Sequence, residues 1–258
     1  MIKFTIITCT YQAAHFLPRT AESVLSQTYA EVEHLIIDGL STDGTVDVAH
    51  DYAQRSAHDD NGHEITIVSE KDGGLYDAMN KGIRMATGEY VVFLNAGDTL
   101  PSPDTLEMIA ASMADGEPLP GVLYGNTDIV DDEGHFLRHR RLQPPEHLTW
   151  RSFRQGMLVC HQAFYARTDL AKATPYDLTY RLSADVDWCI RIMKAAEEKG
   201  LTLKNVEAVV VNYLDGGLSV KNHRASLRER FRLMCHHYGL LTTLAMHAWF
   251  VGRAALKR

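Results

Sequence analysis

Two short stretches carry residues whose types and spacing could do chemistry. "EYVVFLNAGDTLPSPDTL", residues 89–106, is an apolar run that stops at Asn95, Ala96, Gly97 and Asp98 and then turns through Pro101 and Pro103. "LSADVDWCIRI", residues 182–192, sets Asp185 and Asp187 in what reads as the first turn of a helix capped by Ser183. A carboxylate at the end of a buried strand, beside a glycine that leaves room for a bulky ligand, suits a hard divalent ion that also takes phosphate oxygens. Asp98 is the candidate; its plain structural reading is a turn residue capping the helix that follows. An acid in a first helical turn can take a hydroxyl proton, yet such acids stabilise the helix dipole whatever the function. Residues two apart on a helix lie on different sides, so Asp185 and Asp187 cannot both face one site.

The elements that must position these residues alternate. Strand-like runs at 3–11, 32–38, 64–70 and 89–95 are interleaved with segments of helical spacing at 15–29, 41–57, 74–87 and 102–115. Repeated β-α units with short connections imply an α/β class, with a mainly parallel sheet and helices on both faces. Ligands in such folds bind beyond the carboxyl ends of the strands. Thr10 and Tyr11, Asp38, Glu70 to Asp72, and Asn95 to Asp98 then share one rim. Beyond residue 116 the pattern predicts two strands within 121–141 around an Asp132-Glu133-Gly134 turn, a short Pro-started helix at 143–153 and a strand at 158–167. A helix at 183–200, a strand with a Gly-rich loop at 201–219 and two final helices follow.

The chain has 258 residues, enough for one large α/β domain, and a net charge of −7 that is unevenly spread. Residues 221–258 hold eight Lys and Arg against the single acid Glu229, which leaves the first 220 residues at −14. An acidic body with a basic tail points to an anionic partner near the C-terminus: phosphate, a membrane surface or an acidic chain, with no nucleic acid expected. A solvated helix face is the plain alternative. The scattered Cys9, Cys160, Cys189 and Cys235 indicate neither a zinc ribbon nor a disulfide framework and fit a reduced cytoplasmic compartment. The N-terminus reads as a strand, and no window is apolar for long enough to span a bilayer. Residues 239–258 read as a helix that lies on its own core or on a bilayer surface. Neither a dinucleotide fingerprint nor a phosphate loop is present.

Four ordered stretches, "TIITCTYQAAHFLPRTAESVLSQTY", "EHLIIDGLSTDGTVDV", "EKDGGLYDAMNKGIRMATGEYVVFLNAGD" and "LSADVDWCIRI", resemble the successive signatures of inverting family-two glycosyltransferases of GT-A fold. The similarity is greatest to bacterial enzymes of exopolysaccharide and colanic-acid-type assembly. The resemblance implies one GT-A domain over 1–220, with a nucleotide-sugar half at 1–115 and an acceptor and catalytic half at 116–220, followed by a basic helical extension at 221–258. It implies that Thr10 and Tyr11 pack against the base, that Asp38 and Asp72 lie near base or ribose, and that Asn95, Gly97 and Asp98 match the metal-binding Asp-x-Asp region. Asp98 would hold Mn²⁺ or Mg²⁺, with His223 as a further metal candidate beside Lys221 and Arg224. Gly39 stands where the family usually has a second acid. Asp185 takes the place of the catalytic base, with Asp187 as the alternative, and His161 is a candidate for the acceptor site.

The expected activity is inverting transfer of a sugar from a nucleotide sugar, UDP-linked by preference, to a hydroxyl of a glycan or lipid-linked saccharide in cell-surface polysaccharide synthesis. The expected location is cytoplasmic, peripheral at the inner face of the membrane through 221–258. Two other readings remain open: a nucleotidyltransferase, and a nucleotide-sugar-binding homologue without catalysis.

Overall fold

Four apolar runs rich in β-branched residues form the parallel heart of the sheet: β1 (Phe4–Thr10), β2 (Val32–Asp38), β3 (Glu64–Ser69) and β4 (Tyr90–Phe93). The computed structural model describes residues 1–59, 61–113, 116–216 and 223–255, without the side chains of 223, 224 and 253–255. β1, β2 and β4 are buried along their whole length, as strands covered by helices on both faces must be. Polar side chains inside them are paired. His34, for instance, lies 2.8 Å from Thr8 Oγ1 and 2.9 Å from the Tyr52 hydroxyl.

The connecting helices are α1 (Leu17–Leu25), α2 (Thr45–Asp59), α3 (Leu75–Met85) and α4 (Thr105–Ala111). α1 turns Leu17, Ala21, Val24 and Leu25 inward, and α3 turns Ala78, Met79 and Ile83 inward, the spacing of one helical face. At Gly82 of α3 a Cβ would come within 2.5 Å of Ile7 Cγ2, so glycine lets this helix lie close on β1.

The second half adds β5 (Val122–Val130), β6 (Phe136–His139), β7 (Phe164–Arg167), α5 (Thr168–Ala173), α6 (Ala184–Glu198) and β8 (Leu203–Leu214), then α7 (His223–Tyr238) and α8 (Leu240–Ala255). The eight strands make one sheet in the order β3-β2-β1-β4-β7-β5-β6, with β8 paired to β5. β7 runs antiparallel to both β4 and β5, and β8 runs parallel to β5. The carboxyl ends of β1 to β5 and β8 therefore share one rim, and the amino end of β7 enters that same rim between β4 and β5. This follows from strand direction alone.

Two sequence expectations change. The helix expected at 143–153 is a 3₁₀ segment at Trp150–Gln155, because Pro144 and Pro145 precede it rather than open it. The strand expected at 158–167 is β7 alone, preceded by a 3₁₀ turn at His161–Ala163, and α5 follows at once.

Candidate active site

The loops after β1 and β2 are stitched together by their own hydroxyls. Asp38 is buried and accepts from Thr10 Oγ1 at 3.0 Å, Ser41 N–H at 2.9 Å, Ser41 Oγ at 2.5 Å and Ser69 Oγ at 2.7 Å. Burial raises the Asp38 carboxyl, but the Ser41, Ser69 and Thr10 donors outweigh it and hold the group below its usual range. Gln12 N–H donates to Ser41 Oγ at 2.8 Å and Ala13 N–H to Thr45 Oγ1 at 2.8 Å, so the crevice wall is pre-formed. Tyr11 stands out of it, 69% exposed, while Thr10 is buried.

Gly39 has a specific neighbour. A Cβ there would lie 2.6 Å from Asp72 Oδ2 and 3.5 Å from the Tyr11 ring, so Asp72 fills the space that a side chain at 39 would take. Its other oxygen accepts from Gly74 N–H at 2.8 Å. Gly39, Asp72 and Tyr11 thus come together at the crevice. Asn80 and Lys81 of α3 are taken up by scaffold contacts beside this crevice. Asn80 exchanges two bonds with the Tyr176 backbone, and Lys81 Nζ reaches Lys71 O at 2.8 Å and Glu70 Oε1 at 2.9 Å.

The turn after β4 is fastened from three sides. Thr20 Oγ1 of α1 accepts from Gly97 N–H at 2.8 Å and donates to Asp98 O at 2.7 Å. Asp98 is 3% exposed; its Oδ1 accepts from Leu214 N–H at 2.9 Å and its Oδ2 from Gln162 Nε2 at 3.1 Å. Burial pushes this carboxyl up to about 6 against the lowering effect of those donors. Gly97 has φ +101°, and a Cβ there would meet Leu214 Cδ2 at 2.6 Å. The space expected for a ligand at Gly97 is therefore occupied by β8, and Asp98 bonds to β8 rather than capping the helix after it.

The turn after β4 offers a divalent ion less than its sequence position suggested. One carboxylate is present, buried, with both oxygens already accepting from protein N–H groups, and no second carboxylate stands at 95 or 97. Among the described residues one cluster of three potential ligands occurs, Asp131, Glu133 and His135 on the β5–β6 turn. It is mostly exposed, and Asp131 Oδ1 already accepts from the backbone N–H of Glu133 and His135. The side chains of Lys221, His223 and Arg224 lie outside the described residues.

The two acids of α6 diverge as helical spacing requires. Asp187 is buried and closed: Oδ1 lies 2.7 Å from His237 Nε2 of α7, and Oδ2 accepts from Arg191 Nε at 2.6 Å. Burial raises its carboxyl, and His237 and Arg191 more than offset that. Lys194 Nζ lies 3.1 Å from the other His237 nitrogen, and Glu229 of α7 accepts from the N–H groups of Arg181 and Leu182, just ahead of α6. Asp185 instead faces the rim with its side chain 19% exposed; Oδ2 is 3.5 Å from His161 Nδ1, and Oδ1 is 3.4 Å from the Tyr76 hydroxyl. Burial raises its carboxyl, yet His161 and the Arg230 charge leave it below the usual value. The carboxylate is thus ionised and only loosely engaged.

Tyr76, Gln162 and Arg230 are residues that sequence reading missed. Gln162 had one signal, its place beside His161 in "CHQAFYAR". Below this site Tyr76 stacks on Tyr176 at 5.3 Å, and Tyr176 stacks on Trp188 at 4.9 Å.

A crevice at the point where the chain reverses from β1 to β4, with an ionised carboxylate across the rim, is the layout of a nucleotide-sugar-dependent transferase of GT-A fold. Residues 5–172 match the model of glycosyl transferase family 2, and the chain belongs to that family. It is 35% identical over 218 residues, 84% of its length and 78% of the relative's, to a PGL/p-HBAD biosynthesis glycosyltransferase of Mycobacterium bovis. Among solved structures it resembles Staphylococcus aureus TarS 1-349 in complex with UDP-GlcNAc, with TM-score 0.69, 16% identity and coverage of 98% of this chain and 72% of that one. It also resembles the mannosyltransferase PcManGT of Pyrobaculum calidifontis in complex with GDP-Man and Mn²⁺, with TM-score 0.59, 18% identity and coverage of 99% and 80%. The protein is a glycosyltransferase.

Proposed function

We propose that the chain transfers a sugar with inversion from a UDP-sugar to a hydroxyl of a glycan or lipid-linked saccharide in cell-surface polysaccharide synthesis, with Asp185 as the base. The observation that carries the reading is the contrast on α6: Asp187 is closed by protein partners, whereas Asp185 is ionised and faces the rim. Tyr11 offers an exposed face for the base of the nucleotide, and Asp72 with the Asp38-organised loop accepts from base or ribose. Residues 1–115 serve the donor, and 116–220 serve the acceptor and the proton.

In the chemical step the acceptor oxygen bonds to the anomeric carbon from the face opposite the nucleotide. Its proton passes to Asp185, and the bond to the diphosphate breaks with its electron pair leaving on UDP. A divalent cation, Mn²⁺ or Mg²⁺, would neutralise the diphosphate. With the ligands available at the turn after β4, the donor's own phosphate oxygens would be its main holders. The UDP-GlcNAc complex of TarS supports a UDP donor.

Among the described residues no helix is long and apolar enough to cross a membrane. α8 nevertheless presents Leu240, Leu241, Leu244 and Val251 half-exposed or more, next to a basic C-terminus, which suits the face of an anionic bilayer. Calorimetric titration with UDP and with GDP tests the donor, and UDP is expected to bind at least about tenfold more tightly. NMR of the first product formed from an α-linked UDP-sugar should show the β anomer; an α product sinks the inverting mechanism. Liposome flotation with and without residues 240–258 tests the membrane contact.

A further inference from the structure

The reading of Asp185 as base leaves one group beside it unexplained. His161 is 8% exposed, and neither ring nitrogen has a hydrogen-bond partner. Nδ1 stands 3.5 Å from Asp185 Oδ2, an ion-pair distance that is too long for a formed hydrogen bond. A buried imidazole with two unsatisfied nitrogens costs stability, and native chains keep such groups where they serve a site. The ring is held by packing instead, edge-on to Phe93 with centroids 6.0 Å apart. The next residue, Gln162, is committed in the other direction and donates to Asp98. One short turn at the amino end of β7 therefore links the donor-side turn to the carboxylate that faces the acceptor.

Resting on that reading of Asp185, we propose that His161 is a positioning residue for the base: its ring closes onto Oδ2 when substrates bind, and so keeps the other carboxylate oxygen turned to the acceptor hydroxyl. Catalytic contacts are commonly long before substrate arrives and tighten afterwards. His161 takes up no proton in the step; the hydroxyl proton ends on Asp185. The charged and titratable groups that act on Asp185 are His161 from the β7 turn, Tyr76 from α3 and Arg230 from α7, with Tyr176, Cys189 and, from β8, Tyr213 close by. Of these, His161 is first among the groups that lower the Asp185 carboxyl against burial.

The test uses the full chain with His161→Gln, His161→Met and Asp185→Asn, on the UDP-sugar that the wild type hydrolyses or transfers. Both His161 variants should lose roughly tenfold or more in kcat, while UDP affinity by calorimetry stays within about twofold. The acid limb of the kcat–pH profile in His161→Gln should move to higher pH, because the carboxylate loses a group that lowers its pKa. The melting temperature of His161→Met should hold or rise, since an unsatisfied buried polar group has been removed. Wild-type kcat and an unmoved acid limb in His161→Gln, with Asp185→Asn inactive, overturn the positioning role alone. An active Asp185→Asn overturns the reading of Asp185 itself. Collapse of the fold in both His161 variants would assign the ring a structural task and would also overturn the proposal.

Discussion

The turn after β4 and the first turn of α6 each present an acid to the same rim, and they treat it in opposite ways. Asp98 accepts from two protein N–H donors, sits 3% exposed and has its carboxyl raised to about 6. Asp185 has two long contacts and a lowered carboxyl. Acids with a close protein partner on each oxygen join elements: Asp98 ties β4 to β8, and Asp187 ties α6 to α7. The acid with spare capacity is the one proposed above to meet substrate. Position at a strand end or helix start does not separate these roles, whereas the partners of each oxygen do.

Asp185→Asn should break activity most, lowering turnover by about 10²–10⁴-fold with little change in melting temperature. The mirror result belongs to Asp187→Ala. Leaving His237 and Arg191 without their buried partner should cost about 3–5 kcal/mol of stability in chemical denaturation, and an Asp187→Ala protein of wild-type stability would remove the contrast. Asp98 gives a smaller, pH-dependent effect. Its folded pKa lies above its unfolded one, so the folded chain holds the extra proton between them. That contribution is fully present below the unfolded value of 3.8 and is lost as pH rises through about 6. Melting curves should show Asp98→Asn gaining on the wild type across that window; parallel curves would count against a buried, raised carboxyl. Tyr11→Ala should weaken UDP binding by roughly tenfold without touching stability, and Gly39→Ala should act in the same direction by displacing Asp72.

The parallel core was legible because β1, β2 and β4 are short runs rich in β-branched and apolar residues and α1 and α3 keep one apolar face. The site was legible in part. Helical spacing alone separates Asp185 from Asp187, and strand ends alone place Thr10, Asp38, Asp72 and Asp98 on one rim. What spacing does not carry is how a carboxylate is spent. The bond from Leu214 N–H to Asp98 spans 116 residues, and the one from His237 to Asp187 spans 50. Gly97 reads as room for a ligand until β8 is known to lie against it. β7 is shorter than the run at 158–167 suggests because His161–Ala163 forms a 3₁₀ turn, in which Gln162 bonds to Asp98 across the sheet.

The most direct test of this contrast puts Asp98→Asn and Asp185→Asn through one pair of assays, calorimetric UDP binding with and without Mn²⁺ and turnover of a UDP-sugar. Asp98→Asn should keep both UDP affinity and turnover, while Asp185→Asn keeps affinity and loses turnover. Mn²⁺-dependent UDP binding that disappears in Asp98→Asn would contradict the account, because it would make the acid bonded to β8 the ligand and not the joint.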